Sequence, residues 1–307
     1  VCHFSLVRPF TTDISIVAME AAPSAAMEAA SPEEDRASNL AKLYSELKMY
    51  EPDDSLIAEL LARDSSLAAE RDGSDSTVLH AACANIENVP TRTFKLLIAT
   101  HPEAVMHANR VGILPIHRAA SCYCTEASLP SIELLIQAQP QSLACKTRDG
   151  LLPLHMSLSY PKISSYRLVE LLLEARPASL VEADRYGQYA LHRAASKTRL
   201  DPAIVGLLLD RAPHIAFLKD NNGWLPLHWA LSKDCPSLEV FYLLATAYPE
   251  GLYDADPQGR TPYDKLMARK ELQAEAKAEV LAMMGLAREQ MQNRKPKPQR
   301  VPSPLLR

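Results

Sequence analysis

The chain has 307 residues, of which 47% are apolar and 23% charged, with a formal net charge of −4. This suits a soluble, folded protein with one large domain or two ordinary ones. The small net charge argues against a bulk nucleic-acid binder, which carries a strong basic excess, and no window of 18 apolar residues offers a membrane span.

The chain begins at Val1, and residues 1–17 hold one basic residue and no clear apolar block. That pattern reads poorly as a signal peptide. Residues 1–30, including the Ala-rich stretch 20–30, are expected to be an unstructured extension or a fragment end. At Ser31-Pro32-Glu33-Glu34 a capping hydroxyl, a proline and two acids mark a helix start. Helices over 39–49 and 55–62 follow, so 31–71 reads as an N-terminal helical cap.

From residue 72 a repeat sets in. Histidines stand in Val78-Leu79-His80, Pro115-Ile116-His117, Pro153-Leu154-His155, Ala190-Leu191-His192 and Pro226-Leu227-His228, at steps of 37, 38, 37 and 36 residues. A sixth copy, Thr261-Pro262-Tyr263-Asp264, has aspartate in place of histidine. A glycine lies five residues before the marker at Gly112, Gly150, Gly187, Gly223 and Gly259. Small residues follow it, as in Ala119-Ala120 and Ala194-Ala195; leucine pairs return in each unit, and prolines follow them at Pro102, Pro140, Pro177, Pro213 and Pro249.

Each feature has a physical reading. The glycine suits a tight turn with positive φ. The proline two before the histidine suits the first turn of a helix. The leucines give a second helix its apolar stripe. The later proline pushes its predecessor out of the helical region. Each unit is therefore expected to run turn, short helix, longer helix, extended exit.

The unit resembles an ankyrin repeat, whose signature is Thr-Pro-Leu-His followed by small residues. The strings here are Leu225-Pro226-Leu227-His228-Trp229-Ala230 and Leu152-Pro153-Leu154-His155-Met156-Ser157. The match spans roughly residues 39–270. The resemblance implies an all-α ankyrin-repeat solenoid of stacked helix-turn-helix units, with turn or β-hairpin tips and helical caps. The array would occupy 72–263, with five clear repeats and a sixth degraded at its start. The period exceeds the family's usual length, and the regular proline replaces the glycine that usually follows the second helix. Residues 264–292 read as a C-terminal capping helix, since repeat stacks need capped ends. The basic, proline-rich stretch 293–307 reads as a disordered tail.

In the resembled family the marker histidine is structural. One per repeat, about 10 Å apart, they are too far apart to share a metal. Cys122 and Cys124 lie too close together for a zinc pair, and Cys2, Cys83, Cys145 and Cys235 supply no second pair. Unpaired cysteines point to a reducing compartment, the cytoplasm or the nucleus. No phosphate-cradling loop, nucleophile elbow or kinase signature appears. No cofactor or metal site is expected, and the chain is expected not to be an enzyme.

Stacks of this kind bind partners on a concave face of turn tips and first helices. The register assigns to that face Arg110, Arg118, Arg148, Met156, Arg185, Tyr186, Arg193, Lys197, Trp224, Trp229, Lys233 and Arg260, with Lys265 and Tyr160 beside them. Asp149 is the one acid found among these positions. Glu133, Glu170, Glu174, Asp210 and Glu239 fall on the second helices. Arginine and aromatics form interface hot spots, and guanidinium forks pair with carboxylates and phosphates. The expected function is a scaffold or adaptor, acting as a monomer, that binds a protein with an acidic or phosphorylated segment. A regulatory portion of a larger enzyme and a nucleic-acid binder are the competing readings.

Overall fold

The computed structural model describes residues 32–122, 125–159, 165–197, 200–232 and 238–268, together with Ala282. Two helices come first, α1 (Pro32–Glu46) and α2 (Asp54–Arg63). The Asp53 carboxylate starts α2 by accepting the backbone N–H groups of Ser55 and Leu56 at 2.9 and 3.2 Å. Five helix pairs follow: α3 (Val78–Ala84) with α4 (Thr91–Thr100), α5 (Pro115–Ala120) with α6 (Leu129–Ala138), α7 (Pro153–Ser159) with α8 (Tyr166–Ala175), α9 (Ala190–Ala195) with α10 (Pro202–Arg211), and α11 (Pro226–Ala230) with α12 (Leu238–Ala247). Helix α13 (Pro262–Met267) opens a sixth unit.

The marker histidine starts each short helix. Its Nδ1 accepts the backbone N–H three residues upstream: Thr77 to His80 at 3.1 Å, Leu114 to His117 at 3.2 Å, Leu152 to His155 at 3.1 Å, Tyr189 to His192 at 3.3 Å and Leu225 to His228 at 3.1 Å. In the sixth unit the Asp264 carboxylate takes over, accepting the Thr261 N–H at 3.0 Å and its hydroxyl at 2.7 Å. Either side chain satisfies a donor that the helix itself leaves unpaired.

The second helices stop where the prolines require. Gln139, just before Pro140, has φ −148° and ψ 87°, outside the helical region. The exit is not extended, however. The proline becomes the first residue of a five-residue 3-10 helix, as in Pro102–Met106, Pro140–Ala144, Pro177–Val181, Pro213–Phe217 and Pro249–Tyr253. Its missing N–H costs nothing at that position.

The first helices pack in a row, α3 on α5, α5 on α7, α7 on α9 and α9 on α11. Second helices also meet, α2 on α4, α4 on α6, α8 on α10 and α10 on α12. Buried Ala119, Ala120, Ala194 and Ala195 let the short helices approach closely, and one apolar core runs from Leu43 to Leu266. No single pair could bury its apolar faces alone, so the stack itself is the folding unit.

The turns between units form a second row. Arg110 N–H donates to Ser74 O at 3.1 Å, Arg148 to Val111 O at 3.3 Å, Arg185 to Asp149 O at 3.1 Å and Asn221 to Tyr186 O at 3.1 Å. Gly150 shows why glycine sits in this row. Its φ is +75°, and a Cβ there would lie 2.7 Å from the Arg185 nitrogen of the next turn. At the next step Pro257 occupies the donor position and has no N–H to give. Its ring lies over Gly223 instead.

Two expectations need adjustment. β-Hairpin tips do not form among the described residues; the tips are hydrogen-bonded turns, with one isolated bridge between Arg71 and Thr77. Of the C-terminal helix expected over 264–292, the part up to Met267 is α13, and most of the rest lies outside the described residues. The extension 1–30 and the tail 293–307 also lie outside them. No described helix is long and apolar enough to cross a membrane.

Candidate interaction face

Each turn is built on a polar residue three positions before its glycine. Oδ1 of Asp184 accepts the backbone N–H groups of Tyr186 and Gln188 at 2.8 and 2.9 Å. Oδ1 of Asp220 accepts those of Asn222 and Trp224, both at 2.9 Å. Oδ1 of Asp256 accepts those of Gln258 and Arg260 at 3.0 and 2.9 Å. Asn109 does the same for Val111 and Ile113 at 3.1 and 3.0 Å, and the Thr147 hydroxyl accepts from Leu151 at 3.1 Å. These are side-chain turns that mimic backbone.

The second carboxylate oxygen of each buried aspartate must also be met. The residue just after the marker histidine meets it. Arg193 pairs with Asp184, whose side chain is fully buried. Trp229 Nε1 donates to Asp220 at 2.9 Å. Lys265 Nζ lies 3.4 Å from Asp256, which Arg260 also contacts at 3.1 Å. Burial alone would raise the Asp256 carboxyl. The backbone and side-chain hydrogen bonds of Arg260 and the Lys265 charge outweigh it and hold the group at about 2.

The C-terminal end of this face is thus closed on itself. Trp224 lies over His228 with ring centroids 6.1 Å apart and meets Trp229 at 5.3 Å. The Lys265 ammonium sits 3.7 Å from the centroid of the Trp224 ring, a cation–π contact. Arg185 donates to Asp149 of the neighbouring turn at 2.8 Å and lies over the Tyr186 ring at 5.6 Å.

The other end is different. Arg118 also follows its marker histidine, but its turn is built on the neutral Asn109, which leaves no carboxylate to meet. Arg118 is exposed, as are Arg110 and Arg148 on the turns. None of the three has a side-chain hydrogen bond or ion pair among the described residues. Val111, next to Arg110, is 51% exposed.

The expected face therefore divides. Arg110, Arg118, Arg148, Arg185 and Tyr186 are exposed, while Arg193, Lys197, Trp224 and Trp229 are partly covered. Arg260 is exposed but paired. Met156 is corrected outright: it is 2% exposed, because its apolar side chain packs inward with the core. Lys233 and Tyr160 lie outside the described residues. Sequence reading credited the face with one acid and missed Asp184, Asp220 and Asp256. Their signal was present, a polar residue three before each glycine, but it looks like any loop residue until the fold buries it.

The marker histidines are buried. Burial pushes His80, His117 and His155 down to about 4, with Nε2 contacts to the Ile113 carbonyl of the next unit for His80 and to the Cys145 and Leu151 carbonyls for His117 partly opposing it. Burial, with the Lys265 charge adding to it, sets His228 at about 4 as well. With Nδ1 accepting, the proton sits on Nε2, and the ring is a neutral strut. Among the described residues no three His, Cys, Asp or Glu are placed to hold a metal.

No family model matches the chain, and no curated protein matches it. Solved structures share the fold. One matched chain comes from the structure of a predatory endopeptidase from Bdellovibrio bacteriovorus in complex with an immunity protein. It is 16% identical with a TM-score of 0.53, and the match covers 67% of this chain and 97% of that one. The expectation that the chain is not an enzyme is corrected by this finding, because the matched structure contains an endopeptidase. The likeness itself is one of fold.

Proposed function

We propose that this chain is a protein-interaction scaffold or adaptor of the ankyrin-repeat type, acting as a monomer in the cytoplasm or nucleus. Its partner carries an acidic or phosphorylated segment, which docks on Arg110, Arg118 and Arg148. One observation carries this reading. These three exposed arginines have no carboxylate among the described residues, whereas Arg185, Arg193, Arg260 and Lys265 each have one. An unpaired guanidinium offers its donor fork to an incoming carboxylate or phosphate without first breaking a bond. Exposed Val111 and Tyr186 supply apolar contact beside it. The repeat period, the marker histidines and the turn row all agree with the ankyrin class.

The test is affinity purification from the source cell with the full chain and with an Arg110→Glu, Arg118→Glu, Arg148→Glu variant of matched circular dichroism. A partner with an acidic or phosphorylated contact segment, lost by the variant, is expected. An identical set of partners for both chains contradicts the reading.

A further inference from the structure

Arg110, Arg148 and Arg185 hold the same place in three consecutive turns. Each follows the turn's anchoring polar residue, and each donates its N–H to the turn before it, at 3.1, 3.3 and 3.1 Å. The three backbones therefore advance by one unit per step. The first helices of neighbouring units are in direct contact, and helices in contact lie about 8–10 Å apart. The turn row thus sets the backbones of these arginines at a regular interval of about that size.

The third of these arginines already holds a carboxylate. Asp149 Oδ1 accepts from Arg185 Nη1 at 2.8 Å. An arginine in this backbone setting can therefore receive a carboxylate from a group lying along the row. Arg110 and Arg148 stand in the same setting and lack one.

A polyproline II chain rises about 3.1 Å per residue with three residues per turn, so residues three apart lie on one side, about 9 Å apart. That matches the interval. A β-strand puts same-side residues about 7 or 13 Å apart, which does not. A helical partner would need a groove for a broad apolar face, whereas exposed Val111 offers a narrow apolar contact beside Arg110.

We infer that the turn row binds an extended, polyproline II-like acidic segment whose carboxylates recur every third residue, with two successive ones seated on Arg110 and Arg148. This rests on the reading of the unpaired arginines as the partner site, and it adds the conformation and spacing of what they bind.

The probes are labelled peptides of equal length and acid content. One carries Glu-Pro-Pro repeats, others have glutamates two or four apart, and one is a helical peptide with glutamates seven apart. Binding to the full chain is read by fluorescence anisotropy. The Glu-Pro-Pro peptide should bind about tenfold more tightly than the others, and Arg110→Gln with Arg148→Gln should abolish that advantage. Lys95→Gln, on the exposed side of α4, should preserve it. If all spacings bind alike and all weaken in the arginine variant, the spacing inference falls and the basic site stands. If the helical peptide binds best, the extended conformation is overturned. If no peptide depends on Arg110 or Arg148, the site and the spacing fall together.

Discussion

Trp229 donates its indole N–H to Asp220, nine residues upstream, at 2.9 Å. The same offset joins Arg193 to Asp184 and Lys265 to Asp256. Where the turn is built on a neutral residue, the partner position changes with it: Asn109 goes with an unpaired, exposed Arg118, and Thr147 with a buried Met156. One local relation thus decides whether the side chain after the marker position is spent inside the protein or faces outward.

Replacing Asp220 with alanine should remove the acceptor of the Asn222, Trp224 and Trp229 N–H groups together. The expected loss is about 2–4 kcal/mol of unfolding free energy, measured by urea denaturation. A change within experimental error would show that the turn does not depend on its carboxylate.

Arg193 and Arg118 occupy equivalent positions with opposite expected sensitivities. Arg193→Ala leaves the buried Asp184 carboxylate without its guanidinium and should cost about 3–5 kcal/mol. Arg118→Ala removes an exposed, unpaired side chain and should change stability by no more than about 0.5 kcal/mol. Similar losses in both variants would contradict the division of the face. For the same reason, charge reversal at Arg185 or Arg193 is a poor probe of binding.

Gly150→Ala meets both a positive φ and the Arg185 backbone at 2.7 Å, and should destabilise by about 1–3 kcal/mol. Gly206→Ala, inside α10 with nothing within 4 Å, should stabilise by about 0.5–1 kcal/mol. Thermal unfolding of the two variants checks both signs.

Acid should weaken the stack in two stages. His80, His117 and His155 have ordinary values of 6.5 and are held at about 4 by burial. A histidine kept neutral in the folded state is protonated first in the unfolded chain. Its contribution is therefore complete above pH 6.5 and is lost as the pH falls toward 4. The loss approaches about 1.4 kcal/mol per pH unit for each histidine. Asp256, ordinarily at 3.8 and held at about 2, contributes above 3.8 and loses that contribution only as pH falls from there toward 2. Urea midpoints should hold from pH 7.5 to about 6.5 and then fall toward pH 4.5 in the native chain, and fall less steeply in a His117→Gln variant. A flat profile would contradict the neutral-strut role.

The repeat, the short first helices and the leucine-rich second helices were legible because each rests on a residue type with one strong local preference. Proline at the first helical position and glycine at positive φ are such cases. The 3-10 segment after each second helix was not, because the same proline that stops one helix can start another turn, and only packing decides. The candidate face was half legible. Register located Arg110, Arg118 and Arg148, but it could not tell that Arg193 and Lys265 turn back onto buried aspartates. Exposure at those positions depends on a residue nine places away, not on the position itself.

The most direct measurement compares the full chain with two triple variants of equal charge change, both titrated with labelled poly-glutamate across ionic strength. One carries Arg110→Glu, Arg118→Glu and Arg148→Glu; the other carries Lys42→Glu, Lys48→Glu and Lys95→Glu, all exposed and none in the turns that hold the arginines. A site on the unpaired arginines predicts that the first variant loses binding and its salt dependence, while the second keeps both. Equal losses in the two would mean that only net charge attracts the ligand, and would contradict a dedicated site on the turn row.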